Sequence, residues 1–330
     1  MPVVVGTPAC VPEGTISDVE VRIRGPETAP PVLAASSSRG RRGRRNDPRA
    51  AWIREQLEVT DGFGHAYSYS GELGGGNFAK AYLFESTTTD DRLAVRVEWQ
   101  GAEIVLPAEL GAADGLLLAR TKSFFNARLQ VMELGTMTAE KFFLQRRNAE
   151  YLPEFECFVR ALALGLLDQG LTYYDLKPDN VVVCRCPTEG YLYFRAIDID
   201  SVGTFAAPNP WAMYHVDHRP PDQPPPAHSV ISTAFAALLT IHMARKMSRT
   251  GRFDVVEFFS KTKWKKKEVP WEANYAAAAA HWRSIREFAP FFRAIGPLKP
   301  LTTTANAALR KVRPMLVGKC AGFADRVALV

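Results

Sequence analysis

The sequence predicts an α+β protein in which a five-stranded antiparallel sheet is followed by a mostly helical part. Two observations carry this prediction. Short β-branched and aromatic runs, separated by turn residues, occupy most of the segment from 66 to 135, which is typical of antiparallel strands. After residue 135 the apolar residues recur about every 3.6 positions, which is typical of helices. We therefore expect a tail at 1–50, a sheet domain at 51–135 and a helical domain at 136–330.

The tail combines Pro, Gly, Ser and Arg without a sustained period, so we expect it to be unfolded. The segment that follows it, 50–58, has the composition of a short helix, with Trp52 and Ile53 available to pack onto the sheet domain. The expected strands lie at 66–72, 79–85, 92–99, 115–119 and 127–135.

The helical domain opens with Thr138, which is predicted to cap a short helix. An amphipathic helix is expected at 152–169, and an apolar helix at 229–243 suits the buried centre of the domain. The proline-rich segment before that apolar helix must be a loop. Further helices are expected at 253–260, 276–295 and 301–309.

The composition narrows the class of protein. With 47% hydrophobic residues the chain can bury a core, and 5 scattered cysteines favour a reducing compartment over a disulfide scaffold. The longest apolar run, 232–244, is too short for a bilayer, which needs about 20 residues. We expect an intracellular protein, in the cytoplasm or the nucleus, without a membrane partner.

The formal net charge of +6 is concentrated in two clusters. Five arginines lie within 39–45 and five lysines within 261–267, so the rest of the chain is net negative. Because the basicity is local, nucleic acid is not the expected partner. The arginine cluster is a candidate nuclear import signal, and the alternative for both clusters is a solvated run of charge.

A glycine run lies between the first two expected strands, with Gly74, Gly76 and Phe78 as its notable members. Such a run in a hairpin is usually a turn. A strand follows these glycines, however, whereas a dinucleotide-binding fingerprint requires a helix there. Because glycine backbone can approach phosphates closely, we predict a flap over a nucleotide, with Phe78 at its tip.

Three polar residues, Asp175, Lys177 and Asn180, share one short segment between a helix-like run and a β-branched run. A polar turn would account for 178–180 but not for the spacing Asp-x-Lys-x-x-Asn. A further acid, Asp198, ends a later apolar strand, and carboxylate oxygens are ligands that Mg²⁺ prefers. Asp200 is the competing position for the metal ligand.

The Asp175 loop resembles the catalytic loop of the eukaryotic-type protein kinase superfamily, and the resemblance covers about 65–300. In that family the Asp accepts the proton of the attacking hydroxyl, the Lys contacts the transferred phosphate and the Asn holds Mg²⁺. The resemblance implies a bilobal kinase fold, with Asp198 in the position of the Asp of the Asp-Phe-Gly motif. Lys177 is typical of the serine/threonine type.

The strand around Ala94 and Arg96 resembles the kinase strand whose Ala covers adenine and whose Lys pairs with the phosphates. Arg96 replaces that Lys, and Glu109 is its implied acidic partner, with Glu103 as second choice. Lys80 is the rival source of the positive charge. The resemblance further implies that ATP contacts the gatekeeper Met132, the hinge residues Glu133 and Gly135, and Val182.

Several positions differ from the family pattern, namely Arg96, the pair Tyr173-Tyr174 and the pair Ile199-Asp200. In having such divergent motifs in a short chain, this protein resembles the kinases of large DNA viruses. The resemblance implies a serine/threonine kinase that uses ATP with Mg²⁺ or Mn²⁺ and acts on a protein hydroxyl. The alternatives are a pseudokinase that binds nucleotide or partners as a scaffold, because of Arg96, and a small-molecule kinase.

Overall fold

The computed structural model describes residues 19–23, 48–61, 63–75, 79–98, 119–124, 127–173, 175–186, 190–199, 202–205, 230–252, 282–295 and 305–317. The chain divides into two compact units. Described residues up to Leu134 form the sheet unit, and those from Gly135 onward form the helical unit. The protein is therefore of mixed α+β class, as predicted.

The sheet unit contains, within its described part, a seven-stranded antiparallel sheet of order β1-β2-β3-β4-β5-β7-β6. Its strands are β1 (Glu20–Ile23), β2 (Leu57–Thr60), β3 (Ala66–Gly75), β4 (Ala79–Ser86), β5 (Arg92–Glu98), β6 (Ala119–Phe124) and β7 (Ala127–Glu133). The predicted count of five is wrong, because β1 and β2 extend the sheet beyond β3. The fourth predicted strand lies later in the chain than expected, at β6.

Strand β1 also corrects the prediction of an unfolded tail at 1–50. It pairs with β2 over four residues, and Val21 is buried in the core of the sheet unit. The physical reason is that β2 offers an unpaired edge and the core an apolar site, neither of which is visible in the tail's composition.

Helix α1 (Pro48–Gln56) packs Trp52 and Ile53 into this core, as predicted. From the sheet the core takes alternate residues of several strands, such as Val95 and Val97 on β5. Because side chains alternate along a strand, Ala94 and Arg96 belong to the opposite face of the sheet.

The helical unit contains helices α2 (Ala139–Phe143), α3 (Leu152–Asp168), α4 (Val230–Thr250), α5 (Ala289–Ile295) and α6 (Ala305–Val317) among its described residues. Thr138 caps α2 as predicted, because its side chain accepts a hydrogen bond from the backbone N of Lys141. Helix α4 is buried along most of its length, and Arg245 on it donates to both carboxylate oxygens of Glu156 on α3.

Helix α6 differs from its predicted range of 301–309. It continues to Val317 although Pro314 lies inside it. The loss of a backbone donor at a proline normally ends a helix. Here Val312 and Leu316 are fully buried, so tertiary packing holds the last turns in place.

Five short strands complete the helical unit as described: β8 (Met137–Thr138), β9 (Leu171–Tyr173), β10 (Val181–Arg185), β11 (Leu192–Ala196) and β12 (Val202–Thr204). Strand β10 pairs antiparallel with β11 and with β8, and β9 pairs antiparallel with β12.

Two further findings bear on the composition. Cys184 and Cys186 are buried, whereas Cys157 is disulfide-bonded, which sequence spacing did not reveal. None of the helices within the described ranges is long and apolar enough to cross a membrane.

Candidate functional site

The Asp175 loop connects β9 to β10, and its three predicted polar residues meet in the structure. Lys177 Nζ donates to Asp175 Oδ2 at 3.0 Å. Asn180 Nδ2 donates to the same carboxylate oxygen and to the backbone oxygen of Asp175, both at 2.9 Å. A 3₁₀ turn over Pro178–Asn180 brings the amide back toward the acid. The spacing Asp-x-Lys-x-x-Asn thus closes a compact polar group around one carboxylate.

The environment of Asp175 makes this carboxylate an unusually good proton acceptor. Burial, with a smaller contribution from the nearby charge of Asp198, raises the pKa of Asp175 to about 6 against the opposing effects of Lys177 and Asn180. Burial acts to lower the pKa of Lys177, but the carboxylates of Asp175 and Asp179 outweigh it, so that pKa is raised. At neutral pH the group therefore comprises a basic carboxylate and a charged ammonium.

The register of the β10–β11 pair brings Asp198 next to this loop. Val181, the first residue of β10, pairs with Ala196, the last residue of β11. Because Asn180 precedes β10 and Asp198 follows β11, the two side chains start from neighbouring ends of the hairpin. The backbone N of Ile197 donates to the backbone oxygen of Asn180 at 2.9 Å, which ties the two segments together.

Asp198 has a strained backbone. Its φ is 60°, and it is the one non-glycine residue with positive φ among those described. Such conformations persist only where the surroundings impose them, and they cluster at functional sites. The carbonyl just before it, on Ile197, accepts a hydrogen bond of 2.8 Å from the Tyr173 hydroxyl.

Tyr173 is the positioning residue that the sequence did not reveal. Its ring is fully buried, and its backbone N donates to Thr233 Oγ1 of α4 at 2.9 Å. It therefore connects β9, the Asp198 segment and the central helix. The signal in the sequence was a tyrosine shortly before Asp175, but its partners lie far along the chain. Tyr174 and Asp200 lie outside the described residues.

The donor set suits a hard cation that is shared with a phosphate ligand. Both hydrogen-bond partners of Asn180 Nδ2 are acceptor oxygens of Asp175, so Nδ2 serves as the amide donor. The amide oxygen Oδ1 is therefore the atom left to act as a metal ligand. The carboxylate of Asp198 is the second candidate source of an oxygen ligand for this cation. Within the described ranges no group of three or more His, Cys, Asp or Glu residues could hold a metal by itself. Mg²⁺ is commonly held in this way, by one or two protein oxygens with phosphate and water completing its shell.

In the sheet unit, three of the predicted nucleotide contacts, Ala94, Arg96 and Met132, share one face. Ala94 on β5 pairs directly with Met132 on β7, and Arg96 follows two positions later on the same face. The guanidinium of Arg96 contacts the carboxylate of Glu98, whose side chain is 8% exposed. Glu98 is an acidic partner that the sequence analysis missed, although residues two apart on a strand share a face. Glu109 and Glu103 lie outside the described residues.

Lys80 lies on the other face of this sheet. It pairs with Val97, whereas Arg96 pairs with Ala81, so the two basic residues point in opposite directions. The ammonium of Lys80 bonds Glu72 at 3.3 Å. The register therefore places Lys80 on the opposite face of the sheet from Ala94, Arg96 and Met132.

The glycine run starts inside strand β3, which extends to Gly75 rather than ending at residue 72 as predicted. Gly74 has a φ of 155°, which favours glycine, and it pairs with Ala81. Gly76 and Phe78 lie outside the described residues.

In the helical unit, Gly135 and Val182 are in direct contact. A Cβ at position 135 would lie 2.6 Å from Cβ of Val182, closer than side chains tolerate, so glycine is required there. Glu133 ends β7 in the sheet unit and pairs with Leu93.

No protein-family model matches this chain, and no curated protein matches it in sequence. The class of protein therefore rests on the arrangement of its own residues.

Proposed function

We propose that this protein is a serine/threonine kinase that transfers the γ-phosphate of ATP to a hydroxyl of a protein substrate. The observation that supports this best is the buried Asp175 carboxylate, with its pKa of about 6, held by Lys177 and Asn180 beside Asp198. A base whose pKa lies near neutral pH is well matched to accept a proton from an attacking hydroxyl.

The proposed reaction assigns one task to each residue. The substrate hydroxyl oxygen attacks the γ-phosphorus, its proton passes to Asp175, and the bond to the bridging oxygen breaks to release ADP. Lys177 offsets the negative charge of the transferred phosphoryl group. Asn180 Oδ1 and Asp198 would hold Mg²⁺ or Mn²⁺, which when bound neutralises phosphate charge.

The nucleotide contacts are proposed from both units. Ala94, Arg96 and Met132 share a sheet face, and Gly135 contacts Val182 in the helical unit. The bilobal kinase fold, with ATP also contacting the glycine flap and Glu133, is part of this proposal.

A scaffold without catalysis is the second candidate. The observation that favours it is the contact of Arg96 with Glu98 on the same strand. This contact engages the guanidinium that the phosphates of a nucleotide would need. Arg and Lys are not interchangeable at phosphate sites, because the planar fork differs from a compact ammonium.

The test is transfer from γ-labelled ATP to a panel of generic protein substrates, with Mg²⁺ and Mn²⁺ supplied in turn. We expect label on serine or threonine, and its loss in Asp175→Asn with ATP affinity retained, because this residue acts on the acceptor. Asp168→Asn is the matched control, since this exposed acid pairs with Arg313 of α6. An ATP-dependent thermal shift without transfer would favour the scaffold, and full transfer in Asp175→Asn would refute the kinase proposal.

The face assignment of the two basic residues gives a separate prediction. Arg96→Ala should lower the rate of transfer far more than Lys80→Ala, because a charged contact to the phosphates is lost. The expected loss of transition-state stabilisation is on the order of several kcal/mol. Initial rates at saturating substrate measure the difference. Equal activity of Arg96→Ala and the parent would contradict this role, whereas activity gained in Arg96→Lys by an inactive parent would identify a disabled kinase.

A further inference from the structure

Gln130 on β7 is an anomaly in the sheet unit. Its side chain is fully buried, and within the described part of the chain neither the oxygen nor the nitrogen of its amide has a hydrogen-bond partner. Burying an amide without partners is unfavourable, and an apolar residue of the same shape would be tolerated better. The presence of a glutamine at this point therefore requires an explanation.

The register shows what lies beside it. Gln130 is the direct cross-strand partner of Arg96, so the two side chains leave the sheet on the same face with Cβ atoms about 5 Å apart. The next pair on that face, Ala94 and Met132, is apolar. Among the residues whose side chains the structure describes, the polar groups on this part of the face are Gln130, Arg96 and its partner Glu98.

We propose that Gln130 is a positioning residue for Arg96 in the nucleotide-bound state. When the guanidinium of Arg96 turns from Glu98 toward the phosphates, the amide oxygen of Gln130 accepts a hydrogen bond from one of its N–H groups. This bond fixes the orientation of the guanidinium plane. The guanidinium has five donors, so it can bind Gln130 and phosphate oxygens together. This inference rests on the proposed nucleotide-binding function, and it accounts for how an arginine serves where the resembling family has a lysine.

The experiment compares Gln130→Met in two backgrounds, the parent chain and Arg96→Lys. Methionine keeps the shape of glutamine but cannot accept from Arg96. We expect Gln130→Met to lower transfer by about tenfold in the parent, the usual effect of losing one hydrogen bond to a charged group. In the Arg96→Lys background the same change should alter transfer less than about twofold, because an ammonium on a shorter stem does not use the amide.

Stability supplies the second readout. Without nucleotide, Gln130→Met should unfold at the same temperature as the parent or higher, since an unpartnered amide has been removed. Gln169→Met is the matched control, because Gln169 Oε1 is also buried and unpartnered but lies in the helical unit. That control should leave transfer unchanged.

The outcomes separate the two proposals. A parent with neither transfer nor an ATP-dependent thermal shift refutes the proposed function and this inference with it. A parent with nucleotide-dependent activity that is unaffected by Gln130→Met, or that falls equally in both backgrounds, overturns the inference alone. If the parent binds ATP without transfer, the ATP-dependent thermal shift is measured in place of the rate. Gln130→Met must then reduce this shift in the parent and leave it unchanged in the Arg96→Lys background.

Discussion

The carboxylate of Asp175 is a group whose burial makes stability depend on pH. Its pKa of about 6 in the folded chain exceeds the ordinary value of 3.8 because the residue is buried. Between these pH values the folded chain binds more protons than the unfolded chain. Its stability therefore falls as pH rises through this window and does not recover above it.

Asp175→Asn should accordingly stabilise the protein above pH 6. The gain is at most about 3 kcal/mol, because about two pKa units are removed at 1.36 kcal/mol each, and it should vanish near pH 4. Urea unfolding of parent and variant at pH 4 and pH 7.5 measures it. Equal stability at pH 7.5 would contradict the raised pKa, and Asp168→Asn, an exposed acid, should show no such gain.

Asp198 carries the second prediction at the residue scale. Asparagine tolerates the left-handed backbone that Asp198 adopts at φ 60°, so Asp198→Asn should leave the fold intact. It removes the charge that would bind the metal, and we expect a smaller thermal shift with ATP and Mg²⁺ than the parent gives. An unchanged shift would move the metal role to Asp200 or abolish it, and the shift with ATP alone is the control.

At the scale of elements, the contact between the segment after β7 and strand β10 is tightly restricted. Gly135 leaves no room for a side chain against Val182. We predict that Gly135→Ala displaces Val182 and weakens ATP binding, and that Gly135→Ala with Val182→Ala restores it by vacating the space. Nucleotide titrations of the three variants test this. Weakening in Gly135→Ala without rescue would mean that the backbone, and not the valine, is displaced.

The hairpin of β10 and β11 shows what an element contributes to the site. Its register, and not the chain distance, brings Asn180 beside the Asp198 segment. Tyr173 on β9 then holds that segment through the Ile197 carbonyl. The candidate site is thus built at the ends of three consecutive strands, β9, β10 and β11.

At the scale of the whole molecule, the distribution of charge leads to a prediction about location. The net charge of +6 includes five arginines within 39–45, in a chain whose other parts are net negative apart from the lysine cluster. If the arginine cluster is an import signal, residues 1–60 fused to a cytoplasmic reporter should carry it into nuclei. A matched fusion with these arginines changed to serine should stay outside, and a parent fusion that stays outside refutes the hypothesis.

The sequence by itself determined the mixed α+β class and most of the helices and strands. It could do so because hydrophobic period is local: Phe155, Phe158 and Leu162 recur on one side of α3 and are buried there. It also singled out Asp175, Lys177 and Asn180, because a short spacing constrains three side chains to one loop.

Only the tertiary structure decided the remaining relations, because they depend on which distant segments pair. Strand β1 belongs to the sheet because β2 offers it an edge, and Arg96 faces Gln130 because of the register between β5 and β7. Tyr173 reaches Ile197, and Asp198 raises the pKa of Asp175, across chain separations that no local pattern encodes. Periodicity fixes which side of an element is buried, but the partner on that side is chosen by packing of the whole chain.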